Sequence, residues 1–142
     1  MQKGKGAMNT KVDGLAKWHK FVDEKDRQAL DEALAEDVLF HSPVLWKPKV
    51  GKAEAMLYIS SAASVLEDFV YQRQFTGDQG VVLEFSAHIG PLVVKGVDLI
   101  QLNDEGQISD FEVMVRPAKG LQALAAAMVE QLALATSSEN EK

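Results

Sequence analysis

The chain reads as an α+β domain in which a curved antiparallel sheet wraps around helices, and three features of the sequence predict it. Through the first half, apolar residues mostly recur at helical spacing. From Phe69 the period changes to two, the signature of half-buried strands. The strand-like runs are separated only by the short turn signals TGDQG, GP and NDEG, which brings consecutive strands back beside each other. Helices first and a long meander after them give segregated layers, with the helices packed on one face of the sheet.

The elements follow in order. From about Lys11 to Glu24, Leu15, Trp18, Phe21 and Val22 form one helical stripe. A second helix follows Asp26, a plausible N-cap, and buries Leu30, Ala33 and Leu34. VLFHSPV, residues 38–44, reads as a strand that Pro43 cuts short. KAEAMLYISSAASVL then gives a third helix with Met56, Ile59, Ala63 and Leu66 along one side. FVYQRQF, VVLEFSAHI, LVVKGVDLIQL and ISDFEVMV are four strands of an antiparallel meander. Pro117 suits the first turn of a last helix, whose Leu121, Leu124, Met128 and Leu132 form an apolar stripe. Residues 1–10 and 136–142 read as flexible tails around a single domain spanning 11–135.

With 142 residues, 46% hydrophobic and 25% charged, the chain has the composition of one globular domain. A formal net charge of -6 without a dense Lys/Arg patch argues against a nucleic-acid partner. The absence of cysteine excludes disulfides, thiol chemistry and Cys-ligated zinc. No apolar run reaches spanning length, so no membrane partner is expected, and the N-terminus lacks a signal-peptide block. The expected location is cytoplasmic. No phosphate loop, metal-spaced cluster or nucleotide fingerprint occurs, so no cofactor is expected.

Strand alternation singles out one residue. In VVKGVDLIQL, Asp98 shares a face with Val94, Ile100 and Leu102, while Lys95 and Gln101 mark the opposite face as the wetter one. The next strand has Phe111, Val113 and Val115 on its oily face, and VVLEFSAHI has Leu83, Phe85, Ala87 and Ile89. Asp98 is therefore turned into the greasy layer, where an unpaired carboxylate is very costly. Desolvation there raises its pKa, which makes it either a pocket acid or a structural acceptor for Trp18 Nε1 or the hydroxyl of Tyr58 or Tyr71. The mixed face still shows Val97, Leu99 and Met114, a composition that suits a subunit interface.

The stretches WHKFVDEKDRQALDEALAEDVLFHSPV, the following GK before a helix, and GVDLIQLNDEGQISDFEVMVRP carry a resemblance over residues 15–117. In these the chain resembles the nuclear transport factor 2-like superfamily and, within it, the SnoaL-like group. The resemblance implies a cone-shaped curved antiparallel sheet wrapped around three N-terminal helices, plus a C-terminal helix. It also implies one apolar pocket and a homodimer through the convex sheet face. Ketosteroid isomerase belongs to the same superfamily, and similarity around GVDLIQLNDEGQISDF extends to it. Asp98 then matches the isomerase's neutral, hydrogen-bond-donating carboxyl, Trp18 its oxyanion tyrosine and Ser42 its general-base aspartate. Indole is not a phenol and a serine hydroxyl is not a carboxylate, which argues against steroid isomerisation by that mechanism.

The candidate catalytic residues are thus Asp98, His41 and Ser42. His41 and Ser42 are neighbours in a strand and face opposite ways. The resemblance favours Ser42 inward, whereas a bend at Pro43 would turn His41 in as a proton shuttle. Their adjacency argues against a Ser-His-Asp triad. Trp18, Phe40, Met56, Tyr58, Phe85 and Phe111 are the candidate ligand-binding residues, and a small apolar or aromatic molecule is the expected partner. His88, Glu84 and Arg116 share the mixed face and read as interface ion pairing, and His19 as solvated. Two functions follow: binding of a small, mostly apolar molecule, with proton transfer beside a carbonyl at Asp98, or a non-catalytic dimeric binding or assembly module with a filled interior.

Overall fold

The structure, a computed structural model, describes residues 12–140, so the expected tail at 1–10 lies outside it. Helix α1 spans Gly14–Glu24, α2 Arg27–Ala33 and α3 Lys52–Val65, with strand β1 at Leu34–His41 and the two-residue β2 at Lys49–Val50 between the last two. The meander is β3 Glu67–Gly77, β4 Gly80–Ile89, β5 Leu92–Leu102 and β6 Ile108–Arg116, and α4 closes the chain at Ala118–Asn140. Asp13 caps α1 by accepting from the amide of Ala16 at 3.0 Å, and Asp26 caps α2 by accepting from Ala29 at 3.2 Å.

Six strands form one curved, open sheet in the order β2-β1-β6-β5-β4-β3. The meander is antiparallel as expected, but β1 lies parallel to β6, with Phe40 beside Phe111, so the sheet is mixed. β1 also begins at Leu34, four residues before the expected strand, because Leu34 pairs with Ile108 rather than continuing α2. α4 runs through Asn140, past the point at 136 where a tail was expected.

Burial follows the alternation of the strands. Leu83, Phe85, Ala87, Val94, Ile100 and Phe111 face the helices and are buried, as are Trp18 and Phe21 of α1 and Ala55 and Ile59 of α3. Leu102 leaves the oily face and is exposed, because the β5–β6 register shifts at Gln101/Leu102. The loop after β5 fixes where α1 begins. Asn103 Oδ1 accepts from the amides of Glu105 and Gln107, and the carbonyls of Glu105 and Gly106 accept from Val12 and Gly14, each at 2.9 Å. On the convex face Arg73 donates twice to Glu84, at 2.6 and 2.8 Å, and Met114, across Val97 from Glu84, is exposed on β6. No helix among the described residues is long and apolar enough to cross a membrane.

Candidate functional site

A cavity of about 80 Å³ lies between the concave face of the sheet, α1 and α3. Its walls are aromatic: Trp18 and Phe21 from α1, Phe40, Phe69, Phe85 and Phe111 from the strands. Trp18 meets Phe111 edge-on at 4.7 Å between ring centres, and Phe69 stacks on Phe85 at 4.8 Å. Gly96 makes room for this wall, since a Cβ there would come within 2.3 Å of the Met114 carbonyl and 2.6 Å of the Phe85 ring. α3 adds Ile59, Ala62, Ala63 and Leu66. Only two lining residues are ionisable, Asp98 in the interior and the exposed Lys25 at the opening.

Asp98 sits mid-strand in β5, between Leu83 of β4 and Val113 of β6, and is 4% exposed. Burial pushes its carboxyl up to about 7, against a smaller downward pull from the Tyr71 hydrogen bond. The carboxyl ends a chain of donors: Trp18 Nε1 donates to the Tyr71 hydroxyl at 2.8 Å, and that hydroxyl donates to Asp98 Oδ2. Burial, followed by the charge and hydrogen bond of Asp98, holds the Tyr71 phenol far above its ordinary value, so it acts as a fixed donor. With Oδ2 accepting from Tyr71, the proton of a neutral Asp98 belongs on Oδ1, which is left for whatever enters the cavity.

A bulge places Tyr71. Tyr71 pairs with Phe85 and Arg73 with Glu84, so Gln72 is an extra residue on β3. In a regular strand, with Gln72 paired, Tyr71 and Arg73 would share a face. With the bulge Tyr71 turns in to Asp98 while Arg73 reaches Glu84 on the convex side.

The structure brings together Asp98, Trp18, Phe40, Phe85 and Phe111 of the sequence candidates. It does not bring in His41 or Ser42, and neither alternative for that pair is met. His41 Nε2 lies 3.2 Å from Asp110 Oδ2, and Ser42 Oγ accepts from the amides of Val44 and Leu45 at 3.3 and 3.1 Å. Both line a separate surface hollow beside Glu112 and Met114, because β1 ends at His41 and the chain turns away from the cone there. Met56 packs partly buried against the core and also borders a polar groove beside Lys52 and Ser60, outside the cavity lining. Tyr58 flanks the core, 6.3 Å from the Phe40 ring and under the Lys49 ammonium. Of the expected α3 stripe, Ile59, Ala63 and Leu66 line the cavity, with Ala55 and Ala62 beside them on the inward side. Among the described residues no group of three His, Asp or Glu is placed to hold a metal ion.

Comparison with known proteins fits this arrangement. The model of the SnoaL-like domain family matches residues 15–111. A steroid delta-isomerase from Pseudomonas aeruginosa is 41% identical, with 87% of this chain and 92% of that one covered and a TM-score of 0.84. An uncharacterised, bacterially conserved protein with a cystatin-like fold from Silicibacter pomeroyi is 33% identical, covering 88% and 89% at a TM-score of 0.79. An NTF2-like protein from Mesorhizobium loti, 16% identical over 82% of this chain and 97% of its own, shares the fold at a TM-score of 0.65. No curated protein matches the chain in sequence. The chain belongs to the SnoaL-like domain family and has its nuclear transport factor 2-like α+β fold.

Proposed function

We propose that the cavity binds a small, mostly apolar molecule bearing one hydrogen-bond acceptor, a carbonyl foremost, and that neutral Asp98 donates to it. One observation carries this: a relay of donors, Trp18 to Tyr71 to Asp98, ends in a greasy hollow. Each member spends its proton on the next, so the last free proton in the relay is the one Asp98 presents to the cavity. In low dielectric such a donor is stronger than in water, and an occupant without an acceptor would leave it unsatisfied.

The volume sets the size of the occupant. At roughly 30 Å³ per water, about 80 Å³ is the share of two to three waters, so a six-membered ring enters with its carbonyl inside and its far side toward the opening. A four-ring steroid exceeds it. The position matched to the isomerase's base holds Ser42, which faces its own loop's amides. The steroid chemistry named for the Pseudomonas aeruginosa relative is therefore not part of this reading. The lining supplies an acid and no carboxylate base, so recognition and polarisation of a carbonyl are what the site supports. The rival is a filled-interior binding or assembly module. It draws on the same volume, which is below the roughly 300–1,000 Å³ of ordinary ligand pockets.

Calorimetric titration with cyclohexanone and methylenecyclohexane at pH 6 separates the two. The expected result is saturable binding of the ketone, weaker binding of the hydrocarbon, and a loss of about tenfold or more in ketone affinity for Asp98→Leu. Absence of saturable ketone binding would favour the filled interior.

A further inference from the structure

Lys25 ends α1 in the left-handed backbone region, φ 58 and ψ 36, with its amide donating to the Phe21 carbonyl at 2.7 Å. Glycine is the residue that helix ends of this shape ordinarily take, because a Cβ is disfavoured there. This chain places a lysine there instead, and its side chain is the one basic group on the cavity lining. Among the described residues no ion pair engages it. The adjacent Asp26 is committed to Lys20, at 3.6 Å, and to the amide of Ala29. Asp23, two residues earlier, and Asp26 are not on the cavity lining. On a chain with a net charge of -6, Lys25 is the one cationic side chain on the lining that an anion entering the cavity would meet.

We propose that the occupant is an apolar oxo acid, whose carbonyl accepts from Asp98 inside the cavity and whose carboxylate meets Lys25 at the opening. This rests on the carbonyl-binding reading above and extends it to a substrate class. Lys25 is then the residue that selects acids over neutral ketones.

The test is calorimetric titration at pH 6 with 4-oxocyclohexanecarboxylate and its primary amide. The two share ring and ketone and differ in the charge at the far end. The wild type and Lys25→Arg should bind the acid about fivefold tighter than the amide, with the advantage shrinking as salt is raised. Lys25→Gly, which adopts the left-handed backbone without strain, should lose the preference and bind acid and amide alike, because the lining then holds no cation. Equal affinity of acid and amide for the wild type, or an unchanged preference in Lys25→Gly, overturns the assignment of Lys25. If the amide still binds and loses affinity in Asp98→Leu, that failure is confined to Lys25. If neither compound binds, the carbonyl-binding reading falls with it.

Discussion

Asp98→Asn gains stability over the wild type as the pH rises from about 4 to about 7, by up to about 4 kcal/mol, and the difference is level outside that window. The folded carboxyl is raised by burial to about 7 from an ordinary value of 3.8. Between those values the native state holds a proton that the unfolded chain has released. Stability therefore falls with rising pH in that interval, at roughly 1.4 kcal/mol per pH unit. The contribution of Asp98 is fully present below about 4 and is lost as the pH passes 7. Asparagine keeps the acceptor that Tyr71 needs but has no proton to release, so it removes the slope and little else. Other carboxylates act with the opposite sign. Hydrogen bonding from Arg73 lowers Glu84, and hydrogen bonds from Gln28 and Lys17 lower Glu32. The difference between the two proteins cancels these effects. Urea unfolding at a series of pH values checks this, and parallel stability curves would mean that Asp98 is ionised throughout.

The second large effect is on binding. A neutral carboxyl donates to a ketone and an ionised one repels it, so cyclohexanone affinity in the wild type falls about tenfold per pH unit above about 7. By pH 9 the loss is about 100-fold. Asp98→Asn, whose amide donates at every pH, holds nearly constant affinity across the range. Calorimetry at pH 6, 7, 8 and 9 measures both, and a flat wild-type profile would remove the carboxyl proton from recognition.

Much of this site was legible because the side-chain period of a strand is two. In VVKGVDLIQL the polar Lys95 and Gln101 fix one face as outward, so Asp98 had to point in, and its burial follows. The cap at Asp26 and the turns at Gly90 and Gly106 were likewise local signals, whereas the first helix starts at Gly14 behind an Asp13 cap, three residues later than expected. What failed to show was nonlocal. The bulge at Gln72 shows only in the pairing of β3 with β4, and no alternation within FVYQRQF announces it, so Tyr71 was one of several possible partners for Asp98. Parallel pairing of β1 with β6 joins segments about seventy residues apart and settles where β1 ends, which carries His41 and Ser42 out of the cone. Lys25 gave a weak clue, a lysine where a helix stops without a glycine, but only the packing of α1 on the sheet sets it at the cavity opening.

The most direct measurement is a ¹³C NMR titration of the aspartate side-chain carboxyls, with the Asp98 resonance assigned by its loss in Asp98→Asn. The expected result is an inflection near pH 7, moving upward when cyclohexanone is added. An inflection near 4, unmoved by the ketone, would show a charged carboxylate that serves only as an acceptor for Tyr71.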